Sequence, residues 1–268
     1  MSPMSNVGTS SIALLLGHAM AIKGRSVVNC YTDYENLIGK QVGLPTVEDP
    51  LKSIDQLTRL IDINSIKPSD IVQYAYKWDK VKDVYILPLC NIAFTEEVRV
   101  NLISDIFNKI STDIAICDVT ETIDSPLLEP LLKDLTILYI VTNMSQKGLN
   151  LTKEWLNDPR LAETKVVPII NFYSPEIMPF ERVCDKMGKL VSDVEKFHYN
   201  PYIVKCAMTN TLNTLAPTAF DGDARTVNIK ADLDSMMQTV SLLALGKPAS
   251  KFDLKRSKEK FLQMLRMH

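Results

Sequence analysis

One stretch near the N-terminus constrains this chain more than any other. Ser2-Pro3-Met4-Ser5-Asn6-Val7-Gly8-Thr9-Ser10-Ser11 runs directly into the apolar segment Ile12 to Met20. The arrangement resembles a phosphate loop stripped of its charges. In the general motif, Gly-x-x-x-x-Gly-Lys-Ser/Thr, backbone N–H groups cradle phosphates, the lysine reaches the β/γ-phosphates, and the hydroxyl holds Mg²⁺. Gly8, Ser10 and Ser11 fit that pattern, and Thr9 stands where the lysine belongs. A serine-rich helix start is also ordinary N-capping, so the stretch acquires meaning only from the rest of the chain.

Beyond the loop, two patterns alternate. Ser10 to Lys23 carries apolar residues at helical spacing and stops at Gly24. Short apolar runs then recur at Ser26 to Cys30, Val84 to Leu87, Ile114 to Cys117, Leu135 to Val141, Val166 to Ile170 and Tyr202 to Val204. Most are continuous rather than alternating, the mark of strands buried on both faces of a parallel sheet. Helical patterns lie between them at Pro50 to Ile61, Thr95 to Ile110, Ser125 to Lys133, Gly148 to Leu156, within Pro179 to Val194, and at Ile229 to Leu245. Together these predict an α/β fold with a mostly parallel, doubly wound sheet flanked by helices, whose ligand sits at the carboxyl ends of the strands.

Composition narrows the function. With 268 residues, 46% hydrophobic and 23% charged, the chain can bury one large core. A net charge of -2 gives no global electrostatic case for nucleic acid. Five cysteines without a Cys-x-x-Cys pair read as reduced and structural, and three scattered histidines offer little to a metal site or a serine triad. Neither a membrane-spanning apolar run nor a signal-peptide pattern is present, so the expected location is cytoplasmic or peripheral to a membrane.

Three later residues share one placement: Asp33, Asp118 and Asn171 each follow a strand-like run. Polar residues commonly end strands for purely structural reasons. In combination with the N-terminal loop, however, they resemble the MinD/ParA group of deviant Walker ATPases over nearly the whole chain. That family's loop reads Lys-Gly-Gly-Val-Gly-Lys-Thr-Thr, and Met4-Ser5-Asn6-Val7-Gly8-Thr9-Ser10-Ser11 occupies the same window. Thr in place of the second lysine makes the chain most similar to the CpaE/TadZ-like branch.

The resemblance implies roles. Ser5, Asn6, Val7, Gly8, Thr9, Ser10 and Ser11 would surround the phosphates of ATP, and Ser10 and Asp118 would face Mg²⁺. Asp33 would orient attacking water, and Asn171 would read adenine; Tyr31 replaces the first acid of the family's Asp-x-Asp. The strand that precedes the family's loop has no counterpart in Met1 to Pro3; either residues upstream or another segment would fill that place. Both lysine positions, Met4 and Thr9, are neutral, which predicts weak or absent hydrolysis, since phosphoryl transfer depends on positioned positive charge. Arg25 or a partner's basic residue is the candidate replacement. Binding is less compromised, although Ser5 and Asn6 replace glycines where the loop must curl; Asn tolerates φ > 0 better than most residues.

Three functional readings stand. The first is a degenerate nucleotide-binding or pseudo-ATPase positioning factor for a secretion, pilus or conjugation machine, acting as a homodimer with protein partners. The second is an active ParA-type partition ATPase, and the third a structural adaptor without nucleotide. A boundary is expected at Gly246, separating residues 1–246 from a tail, 247–268, and within 251–268 six basic residues outweigh Asp253 and Glu259. Leu254, Phe261, Leu262 and Leu265 share one face of that tail at helical spacing, so 251–268 is a candidate for a membrane surface or for packing on protein.

Overall fold

The computed structural model describes residues 1–31, 60, 68–77, 84–88, 110–119, 123–124 and 128–244. Asp33, Gly246, the tail 247–268 and the helical pattern at Pro50 to Ile61 lie outside the described residues, apart from Leu60. So does nearly all of the pattern at Thr95 to Ile110.

Helix α1, Thr9–Ile22, is apolar on nearly every side and lies buried from Leu14 through Ala21. Gly24, at φ 87, ends it and turns the chain into β1, Val27–Tyr31, which is buried at all five positions. β1 pairs in parallel with β3, Val84–Pro88, and with β4, Ile114–Asp118; a short β2, Tyr76–Lys77, adds antiparallel to β3. This first sheet has the order β2-β3-β1-β4.

The second sheet begins after α2, Leu128–Asp134. It holds β5, Leu138–Thr142, then β6, Val166–Tyr173, then β7, Glu195–His198, all parallel and in that order. The crossovers are α3, Gln146–Leu156, and α4, Phe180–Met187. Ser145 caps α3 by accepting the Gly148 N–H at 3.1 Å. The chain closes with α5, Pro201–Met208, α6, Leu215–Phe220, and the long α7, Val227–Ala244.

Neighbouring residues of β6 show the layering. Ile169 packs with α1, α7 and β7 residues such as Leu14, Leu233 and Phe197, whereas Ile170 packs with Leu149 of α3 and Val183 of α4. Helices therefore cover both faces, as the continuous apolar runs require. The first cluster also includes Val27 and Tyr31 of β1, so α1 and α7 join the two sheets on one side.

One sequence expectation needs correction, and one strand was not expected. Tyr202 to Val204 is not a strand; it lies in α5, where Pro201 occupies the first helical turn and the Asn200 side chain accepts the Tyr202 N–H at 2.8 Å. The edge strand is instead Glu195–His198, which alternates buried and half-buried residues.

Candidate functional site

The N-terminal loop is a succession of tight turns. The Ser2 hydroxyl donates to the Met4 carbonyl at 2.6 Å and accepts the Met4 N–H at 3.0 Å. Asn6, at φ 59, and Gly8, at φ 83, both adopt left-handed backbone, the conformation a phosphate-curling loop demands. Gly8 is the N-cap of α1, and no side chain caps that helix. The first helical bond runs from the Ile12 N–H to the Gly8 carbonyl at 3.0 Å, so the N–H groups of Thr9, Ser10 and Ser11 have no partner within the helix. No acidic residue stands in the first turn. An uncapped 14-residue helix behind such a loop suits an anion.

The loop is tied down from β6. Val7 is buried, and its carbonyl accepts the Asn171 side-chain amide at 2.6 Å. The Asn171 Oδ1 accepts the Phe172 N–H at 2.9 Å. Phe172 sits at φ 56, where the β6–β7 register shifts between Asn171 and Tyr173. Such a bulge re-aims the neighbouring side chain, here into the loop. A Cβ on Gly8 would meet the Asn171 amide nitrogen, so that position requires glycine for space as well as for φ.

Asp118 ends β4 beside Tyr31 at the end of β1 and is buried. It lines one cavity together with Met1 and Thr9; Ser10, the other expected magnesium residue, is not in that wall. Burial, with Asp118 and Cys30 nearby, pushes the Tyr31 phenol well above its ordinary pKa. A neutral phenol thus stands where the resemblance expects an acid. Among the described residues no group of three His, Cys, Asp or Glu side chains is placed to hold a metal ion. Arg25 stands beyond the C-terminal end of α1, about 20 Å from the loop at 1.5 Å per residue, so within one molecule it cannot replace the missing lysine.

Tyr31, Asp118 and Asn171 all lie at or near the carboxyl ends of parallel strands, the usual seat of a ligand in such sheets. The loop reaches that end through the Val7–Asn171 bond. Two contributors escaped sequence reading. Met1 bonds to β5, and nothing in its residue type signals this. Phe172 forms the bulge, and only the polar Asn171 before it interrupts the apolar run of β6.

No protein-family model and no curated protein sequence matches the chain. Solved structures do. The ParA family ATPase of Chlorobium tepidum TLS superposes with a TM-score of 0.67 at 16% identity, covering 88% of this chain and 96% of that one. MinD from Pyrococcus horikoshii OT3, complexed with Mg-ADP, gives 0.65 at 17% identity over 90% and 95% of the two chains. MinD from Aquifex aeolicus gives 0.64 at 14% identity over 88% and 94%.

The chain has the MinD/ParA fold.

Within the MinD/ParA fold, the uncapped start of α1, the Val7–Asn171 bond and the end of β4 define the candidate site. Its backbone can receive phosphate, and its side chains bring no positive charge from Met4 or Thr9.

Proposed function

We propose that the chain is a MinD/ParA-type positioning or assembly factor that holds an adenine nucleotide weakly and hydrolyses it poorly or not at all. The carrying observation is the uncapped N-terminus of α1 behind two left-handed residues, Asn6 and Gly8. Those N–H groups fit a phosphate, and the nearby Asp118 carboxylate suits a Mg²⁺ ion that the phosphates would share. Ser10 is the hydroxyl proposed for the same ion, and Asp33 the residue proposed to orient water. The similar MinD of P. horikoshii is complexed with Mg-ADP, and a similar Cyanothece McdA variant is in complex with ATP. The similar Aquifex protein forms a MinC:MinD complex. These likenesses support a homodimer with protein partners, and the Thr9 substitution supports the CpaE/TadZ-like branch and its secretion, pilus or conjugation setting. Cytoplasmic residence belongs to the same reading.

Titration with a fluorescent ATP analogue and assay of phosphate release test it together. The expected result is Mg²⁺-dependent binding, strengthened at least about tenfold in Thr9→Lys as the added charge meets the phosphates, with negligible release in the unsubstituted protein. Turnover equal to that of a lysine-bearing relative would establish the active partition ATPase instead.

The adaptor reading draws on the Asn171 side chain. Its Nδ2 is engaged by Val7 and its Oδ1 by Phe172, which leaves a base only the remaining amide hydrogen and the rest of the oxygen's capacity. Absence of analogue binding in both the unsubstituted protein and Thr9→Lys selects that reading.

A further inference from the structure

The ends of β6 and β7 decide what the protein offers a nucleotide beyond its phosphates. Telling one base from another takes donors and acceptors aimed at the base edge, whereas a ring face accepts every base. The polar side chains at these strand ends are already committed to the protein. Asn171 is only 4% exposed; its amide donates to the Val7 carbonyl at 2.6 Å and its oxygen accepts the Phe172 N–H at 2.9 Å. Asn200, just beyond β7, accepts the Tyr202 N–H at 2.8 Å and donates to the Arg225 carbonyl at 2.9 Å. Ser174 donates to Glu176, and the His198 Nδ1 faces Asp232.

Phe172 is the opposite case, an apolar ring left 36% exposed beside the buried Asn171. The bulge puts it there. Ile170 and Tyr173 both pack into the cluster under α3 and α4, three positions apart instead of the two that a regular strand requires. Phe172 is the extra residue, and its backbone turns left-handed at φ 56. Its Cζ comes 3.6 Å from the place a Cβ would take on Gly8, the N-cap of α1. The ring tip thus stands at the mouth of the loop, next to the helix start that offers the N–H groups of Thr9, Ser10 and Ser11. An exposed ring on left-handed backbone serves stability poorly, and its position suits a planar ligand.

We propose that the site is indifferent to the base: it takes nucleoside triphosphates as a class, phosphates on the α1 N–H groups and base stacked on Phe172. This rests on the phosphate site proposed above and widens its ligand from adenine nucleotides to all four. The exposed π-face supplies affinity, and the buried Asn171 is spent on holding the loop.

Calorimetric titration with the Mg²⁺ complexes of ATP, GTP, CTP, UTP and tripolyphosphate tests it, in the unsubstituted protein and in Thr9→Lys. ATP and GTP, whose ring areas match, are expected to bind within about fivefold of each other, and all four nucleotides at least about fivefold more tightly than tripolyphosphate. Phe172→Ala and Phe172→Leu, the second keeping bulk without a ring, should both erase that advantage over tripolyphosphate; Phe172→Trp should keep it. A larger preference for ATP or for GTP overturns the proposal, because a polar group then reads the base. So does an advantage that survives in Phe172→Leu, which makes the ring mere packing, or tighter nucleotide binding by Phe172→Ala, which makes it an obstruction. If tripolyphosphate binds and nucleotides bind no better, the stacking falls while the phosphate site stands. If neither the unsubstituted protein nor Thr9→Lys binds tripolyphosphate, the phosphate site itself falls and takes the inference with it.

Discussion

At the scale of single residues, Gly8 meets two demands at once. It holds φ 83, and its missing Cβ leaves the space taken by the Asn171 amide. Left-handed backbone costs an alanine about 1–2 kcal/mol, and displacing Asn171 removes a hydrogen bond of about 1 kcal/mol. Gly8→Ala is accordingly expected to destabilise the protein by about 2–3 kcal/mol in chemical denaturation, and Asn171→Ala by about 1 kcal/mol. A neutral Gly8→Ala would mean that the loop does not take this form. His18 behaves differently, because its cost depends on pH. It is wholly buried in α1, and burial pushes its pKa down from 6.5 to about 4. The unfolded chain takes up a proton below pH 6.5, while the folded chain resists until about pH 4. Stability is therefore full above pH 6.5 and declines as pH falls toward 4, a loss of about 3 kcal/mol from this one group. His18→Gln should flatten that part of the stability–pH curve; an unchanged slope would assign it to other groups.

At the scale of elements, the edge strand β7 depends on side chains of α7. Asp232 accepts the His198 backbone N–H at 2.7 Å, and its other oxygen lies 2.8 Å from the His198 Nδ1. Ser235 donates to Glu195 at 2.8 Å, and Thr239 donates to the other Glu195 oxygen. Asp232→Ala would strip the half-buried His198 N–H of its acceptor, with an expected loss of about 1–2 kcal/mol and faster amide exchange at His198. These contacts also explain why β7 was illegible. Glu195-Lys196-Phe197-His198 buries its acid against helix hydroxyls 40 and 44 residues further along the chain, and sequence alone shows only a polar tetrapeptide. Tyr202-Ile203-Val204 misled in the opposite sense, because β-type residues there come after an Asn-Pro helix start. The strands at Val27, Ile114, Leu138 and Val166 were legible because both of their faces are covered, which leaves unbroken apolar runs.

At the scale of the molecule, strand–helix alternation made the α/β class legible, and the placement of Asp118 and Asn171 at strand ends came with it. The use of Asn171 as a loop tether did not, since that role depends on the bulge at Phe172 and on a bond spanning 164 residues of sequence. The tail poses the last question of scale, because its charges suit an anionic surface while its apolar face holds only Leu254, Phe261, Leu262 and Leu265. Each basic residue near such a surface contributes about 1 kcal/mol, yet stable anchoring takes two signals or one strong one. No helix among the described residues is long and apolar enough to cross a membrane. A terminal amphipathic helix more commonly packs on protein, its charges simply solvated. Packing of 251–268 on the domain is therefore the expected outcome: the full chain stays in the supernatant when sedimented with anionic liposomes, and a version ending at Gly246 unfolds at lower temperature. Pelleting of the full chain but not of the shortened one would instead assign the tail to the membrane.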